Sequence, residues 1–275
     1  MAEACTELTV ENGVAILLLN RPQVLNAIDD ALRTELIERL DRISRDDSVR
    51  ALVLSGKGKG FCAGGDIRGM RERLEAPAGV VAINGWRRQQ RTHHFISMLH
   101  MLPKPTIAAV NGAAAGLGCD LALACDFIIA SPKAVLAMSY IHRGLIPDGG
   151  GMYFLPRRIG LVKAKELIFT GRRVTPEDAL AIGMIDRISG EDSLMAEATA
   201  WAREMSQGPA PTLALVKTIL NETFETPRAE VFQKGSQAQA ICYTTSEHQE
   251  SVRAFLEKSA QRRSERKGGA QEGNT

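Results

Sequence analysis

The chain has little excess of either charge: its 275 residues include 34 Lys or Arg and 32 Asp or Glu side chains, a net charge of +2. Such a balance gives no strong pull toward nucleic acid or an anionic membrane, so neither is an expected partner. Cysteine is also scarce. Cys5, Cys62, Cys119, Cys125 and Cys242 are odd in number, widely spread, and lack the close pairing that holds a metal. This speaks against a disulfide framework and a metal centre, and for a reducing compartment. No apolar run reaches the length of a membrane span. The first ten residues carry Glu3 and Glu7 and show neither a secretory nor a transit signal. The expected location is the cytoplasm. No repeat of fixed period is found. What remains, 44% hydrophobic and 24% charged, is the composition of an ordinary soluble globular protein with a substantial core.

Two glycine-rich segments stand out: Phe61-Cys62-Ala63-Gly64-Gly65-Asp66-Ile67, and Asn111 to Asp120 with Gly112, Gly116 and Gly118. Each follows a short apolar run and leads into a helical pattern, so each predicts a turn with unpaired backbone N–H groups. Small side chains let another molecule approach that backbone. If the turns converge, they aim a pair of donors at one oxygen, the oxyanion hole of acyl chemistry. Nucleotide readings fail on spacing. Gly112, Gly116 and Gly118 do not form the dinucleotide fingerprint, and Gly56-Lys57-Gly58-Lys59-Gly60 lacks the ending of a phosphate-binding loop. Taken singly, either segment is also explained as a tight strand-to-helix turn without a ligand.

Along the chain, strands are expected at Val14–Leu19, Ala51–Leu54, Thr106–Val110, Phe127–Ala130 and Val135–Met138. Asn26 is the expected N-cap of a helix whose apolar residues run from Ile28 to Ile43. Arg68 to Leu102, with Pro77, Gly79 and Gly85, reads as a mobile loop plus a helix, and Leu117–Cys125 as a helix. Strands, helices and glycine turns alternate, which gives an α/β class. A third turn, Pro147-Asp148-Gly149-Gly150-Gly151, precedes a run of helices. The expected organisation is a core over 1–200, a helical region over 201–260, and a frayed polar tail over 261–275.

The chain resembles the crotonase superfamily, the enoyl-CoA hydratase/isomerase family. The resemblance is carried by Asn20-Arg21-Pro22 with Leu25-Asn26-Ala27, by Phe61–Ile67, by Pro103-Lys104-Pro105 and by Asn111–Asp120. Gly144–Gly150, Leu155-Pro156-Arg157, Thr170-Gly171 and Ala181–Ile185 follow in the family's order, from about residue 8 to 258. It implies a spiral of ββα units with a C-terminal helical trimerisation region, assembled as trimers or dimers of trimers. It implies acyl-CoA thioesters as substrates, with coenzyme A as part of the substrate and no separate cofactor. By position, the N–H groups of Gly65 and Leu117 would be the oxyanion donors, Leu117 at a helix start where the dipole adds positive potential.

The family's hydratases split water with two glutamates. The first falls at Asp120, one methylene shorter, and the second at Tyr140, which is no carboxylate base. Asp148, after Pro147, matches the working carboxylate of several double-bond isomerases of the family. The resemblance therefore implies proton transfer along the acyl chain over a thioester enolate, by Asp148 and Asp120. Desolvation in a dry pocket would raise both carboxyls. Two alternatives stay open: hydration of a trans-2-enoyl-CoA, and acyl-CoA binding without catalysis. Asp148 also suits an ordinary Pro-Asp-Gly turn, Asp120 a helix first turn, and Tyr140 a core position. The resemblance places the coenzyme near Val24, Ala63 and Ile67. Gly116 and Tyr140 would touch the substrate, Lys59 and Arg68 are phosphate candidates, and Phe255 and Lys258 would reach the nucleotide from the C-terminal region. His93, His94 and His142 are secondary candidates, and Cys62 and Cys119 read as packing residues.

Overall fold

The computed structural model describes residues 4–269. In chain order its strands are β1 (Thr6–Glu11), β2 (Val14–Leu19), β3 (Ala51–Gly56), β4 (Gly60–Cys62), β5 (Thr106–Val110), β6 (Ala113–Ala115), β7 (Phe127–Ala130), β8 (Val135–Ala137), β9 (Arg173–Val174) and β10 (Arg187–Ile188). The helices that frame them are α1 (Asp30–Arg45), α2 (Ile67–Glu75), α3 (Ala78–His100), α4 (Leu117–Leu123), α5 (Gly151–Ile159), α6 (Leu161–Thr170), α7 (Pro176–Ala181) and α8 (Leu194–Met205). Three more follow: α9 (Ala210–Asn221), α10 (Arg228–Cys242) and α11 (Ser246–Gly269).

The strands form a six-stranded sheet in the order β1-β2-β3-β5-β7-β10 and a four-stranded one in the order β4-β6-β8-β9. β1 runs antiparallel to β2, and β9 antiparallel to β8; the other pairs are parallel. One rule generates this order. β3, β5 and β7 each lie in the large sheet, and each is followed by a short strand, β4, β6 or β8, in the small one. Helical chain then leads to the next turn of the spiral. The ββα spiral implied by the motifs is the architecture found.

The large sheet is buried on both faces, as parallel sheets are. Side chains alternate along each strand. Leu52, Leu54, Ala108 and Val110 join one core with Leu32, Leu36 and Leu40 of α1 and Phe95 and Leu99 of α3. Val53, Ile107, Ala109 and Ile129 face the other way, onto Leu194, Ala198, Trp201 and Ala202 of α8.

Several expectations need correction. Asn26 is not the cap of α1: Asp29 is, its side chain accepting from the Leu32 N–H. Asn26 instead adopts φ +57° and is buried, its amide donating to the carbonyls of Lys57 and Gly60. Arg68 to Leu102 is almost wholly helical, because α3 is pinned by the buried Thr92, Phe95, Ile96 and Leu99 despite its glycines. The expected helix through Cys125 ends at Leu123.

The chain divides into two compact units, the first ending at Gln207 and the second beginning at Gly208. The break falls after α8, not at residue 200, because Trp201 is buried against the sheet. The second unit contains α9, α10 and α11. α11 runs on as helix to Gly269, through the start of the expected frayed tail; residues 270–275 lie outside those described.

Candidate functional site

The two glycine turns meet. A Cβ on Gly64, whose φ is +98°, would lie 2.8 Å from the Ala115 carbonyl oxygen and 3.5 Å from the Leu117 nitrogen. One on Gly118 would lie 2.0 Å from the Cys62 carbonyl oxygen. Only glycine allows this approach. Ile28 bridges Gly65 through the Gly64 carbonyl and the Asp66 N–H, so the Gly65 N–H points away from that pairing. Leu117 is the first residue of α4, where helical N–H groups have no intrahelical acceptor. Among the described residues neither the Gly65 nor the Leu117 N–H finds an acceptor. The structure thus brings together two unused donors on adjoining turns.

A buried arginine holds the first turn. Arg21 donates to the Ala27 carbonyl and pairs with Asp29 at 2.8 Å and with Asp66 at 3.0 Å. Asp66 in turn caps α2 through the Arg68 N–H. Hydrogen bonds from Arg68, joined by Arg21, keep the Asp66 carboxyl well below the usual carboxylate range. The thiols inside the turns are inert packing groups: burial pushes Cys62 up to about 12 and raises Cys119 as well.

Beyond the turns lies Asp120, on α4 and fully buried. The Tyr140 hydroxyl donates to its Oδ2 at 2.5 Å, while Oδ1 is buried without a partner. Burial lifts Asp120 to about 7; Tyr140 and the Gly149 N–H pull downward, and Asp148 pushes upward. Burial, then the facing Asp120, raises the Tyr140 phenol. The Tyr140 ring lies on Gly116, where a Cβ would be 3.8 Å from Cε2.

Asp148 is half-buried, and burial raises its carboxyl too, opposed by its own backbone, His93, Arg88 and Gln89. The Gln89 amide donates to Asp148 Oδ2, and the His93 ring lies 2.9 Å from the Asp148 carbonyl oxygen through Nε2. Both come from α3, one helical turn apart. No local pattern in the sequence ties Gln89 to a residue 59 positions away. His142 Nε2 meets the Gly171 carbonyl at 3.1 Å, a structural contact on the turn after α6.

Val24 is half-buried, and Ala63, whose N–H already donates to Leu25, is exposed. Ile67 is exposed at the start of α2, as are Arg68 and, beside β4, Lys59. Phe255 and Lys258 are exposed on α11 of the second unit.

A family model described as enoyl-CoA hydratase/isomerase matches residues 9–265. The chain is 36% identical over 249 residues to the 1,2-epoxyphenylacetyl-CoA isomerase of Escherichia coli, covering 90% of this chain and 94% of that one. It is 33% identical over 261 residues to the bovine mitochondrial enoyl-CoA hydratase domain-containing protein 2, covering 93% and 86%. Among solved structures, a putative enoyl-CoA hydratase from Streptomyces coelicolor superposes with a TM-score of 0.86 at 33% identity, covering 94% of each chain. An enoyl-CoA hydratase from Polaromonas gives 0.85 at 31%, covering 92% of this chain and 97% of that one.

Proposed function

The chain belongs to the enoyl-CoA hydratase/isomerase family and is an enzyme of the isomerase or lyase class; from that premise we propose that it shifts the double bond of an enoyl-CoA thioester by proton transfer. The observation that carries this reading is the pairing of Asp120 with a phenol instead of a second carboxylate. A hydratase site needs two acid–base groups on one water; here Tyr140 occupies the hydrogen-bonding side of Asp120. Asp148 is left as the half-exposed carboxylate with a raised affinity for protons.

In this scheme the thioester oxygen sits between the Gly65 and Leu117 N–H groups. Asp148 removes the proton from the carbon that lies between the carbonyl and the double bond. The negative charge moves onto the thioester oxygen, where two fixed donors stabilise it more than they stabilise the neutral carbonyl. A proton returned at the far carbon completes the shift. Val24, Ala63 and Ile67 line the coenzyme channel in this reading. Lys59, Arg68, Phe255 and Lys258 serve its phosphates and nucleotide, the last two from another copy of the chain. The second unit, with Phe224, Phe232 and Ile241 exposed, supports assembly as trimers or paired trimers. No helix among the described residues is long and apolar enough to cross a membrane. The scattered cysteines suit the reducing cytoplasm to which we assign the protein.

NMR of a 3-enoyl-CoA and of crotonyl-CoA in D2O tests the proposal. Double-bond migration with deuterium uptake, lost in Asp148→Asn, is the expected result. A 3-hydroxyacyl product would instead make the protein a hydratase, and an inert protein that still binds acyl-CoA would make it a non-catalytic binder.

A further inference from the structure

Asp120 is the more enclosed of the two site carboxyls, and the enclosure is specific. A Cβ on Gly149 would come within 2.6 Å of Oδ2, and one on Gly151 within 2.4 Å of Oδ1. The carboxyl therefore has glycine backbone closed over it, one oxygen without a partner, and the other on the Tyr140 hydroxyl. It has no exposed surface from which to touch an acyl chain. Tyr140 does: it is half-buried, and its ring leans on Gly116, the residue just before the Leu117 donor. Tyr140 therefore links the two: its hydroxyl meets Asp120 and its ring edge lies beside Gly116.

We propose that Tyr140 and Asp120 form one proton relay, in which the Tyr140 hydroxyl returns the proton to the acyl chain and Asp120 resupplies the phenol. A phenol donates one hydrogen and accepts others at the same oxygen, so it can take a proton while giving one. With Asp120 ionised, the phenol hydrogen points inward onto Oδ2. With Asp120 protonated, the carboxyl donates to the phenol and the phenol hydrogen is free to turn outward. Burial favours that protonated form near neutral pH. The titratable groups facing the couple are Asp148 across the site and the Cys119 thiol beside it, neither of them cationic; the Gly149 N–H, like the phenol, favours the ionised form, and burial outweighs both.

The proton balance closes. Asp148 takes the proton from the C–H bond, and the electron pair moves into the enolate. The carbon at the far end takes the phenol proton as the phenol oxygen takes the Asp120 proton. Asp148 ends protonated and Asp120 ionised, and exchange with solvent restores both. No phenolate accumulates. In this scheme Asp120 acts through Tyr140 and never meets the substrate.

The inference rests on the isomerase reading, and the test separates the two. Wild type, Tyr140→Phe, Asp120→Asn and the double variant are incubated with a 3-enoyl-CoA in D2O. Deuterium exchange into recovered substrate is measured beside double-bond migration. The relay predicts that each single variant slows migration by about 100-fold, the scale of general acid catalysis. Exchange at the abstracted carbon, the work of Asp148, stays within about threefold, and the double variant is no slower than either single one. Asp120→Asn keeps an acceptor for the phenol and carries the test should Tyr140→Phe not fold. Migration at the wild-type rate in either variant, or exchange and migration falling together, overturns the relay while leaving the isomerase standing. A wild type that never moves the double bond overturns both.

Discussion

Gly118 lies so close to Cys62 that a methyl group on it would sit 2.0 Å from the Cys62 carbonyl oxygen. This contact joins the two glycine turns into one backbone unit, and it joins backbone to backbone, so no rotamer change can relieve a side chain placed there. Gly118→Ala is expected to separate the turns. The loss of stability should be about 3 kcal/mol or more, the upper range for overpacking. Activity should fall further than stability explains if, as proposed, the Gly65 and Leu117 N–H groups serve one oxygen. Urea unfolding and kcat/KM on the same preparation check both; a variant with normal kcat/KM would mean that the turns do not need each other.

Gln89 should tune the base. Its amide donates to Asp148 Oδ2 and draws the carboxyl's proton affinity downward, against the burial that raises it. Gln89→Leu removes that donor, so Asp148 holds its proton to higher pH. The acid limb of the kcat/KM profile should move toward alkaline pH, and activity should fall by roughly 3- to 10-fold on that limb, the range for one ordinary hydrogen bond. Above the limb the loss should largely disappear. An unshifted profile would show that Gln89 only packs.

The sequence made the strands and turns visible because their causes are local. Val14–Leu19 and Ala51–Leu54 are unbroken apolar runs, which a strand buried on both faces requires. The turns announce themselves through glycines whose neighbours are also small. Asn26 shows where this stops: its residue type suggests a cap, but its buried amide serves carbonyls more than thirty positions away. The segment from Arg68 to Leu102 fails for the same reason. Pro77, Gly79 and Gly85 argue locally for a loop, whereas the packing of Phe95 and Leu99 and the Arg33–Thr92 hydrogen bond to α1 hold a long helix. Within the site, Asp120, Tyr140 and Asp148 were legible as residues. That Tyr140 spans the space between Asp120 and the oxyanion turn is a fact of three dimensions alone.

Arg21 should be the most sensitive residue outside the site chemistry. It is buried, with Asp29, Asp66 and the Ala27 carbonyl on one guanidinium. Arg21→Met keeps much of the volume but takes the cation from Asp29 and leaves Asp66 to Arg68 alone. With Asp66 still held by Arg68 and Asp29 partly exposed, the expected loss is about 1.5–3 kcal/mol. Chemical denaturation gives the number; a loss below 1 kcal/mol would mean that solvent reaches Asp66 and replaces the arginine.

Asp120 links the site to stability in a direction that can be worked out. Its carboxyl titrates at about 7 in the folded protein and at 3.8 ordinarily. Between those values the unfolded chain has already released the proton that the folded chain still holds. Stability contributed here is therefore present at low pH and falls as pH rises through that window. Asp120→Asn is neutral throughout and removes the slope. The variant should be more stable than wild type at about pH 8, by on the order of a few kcal/mol, with the gain shrinking toward about pH 4. Urea melts of both proteins across this range read the difference directly. If wild type and variant keep parallel profiles, Asp120 is ionised inside the fold at neutral pH, and the proton that the Tyr140 relay needs is not stored there.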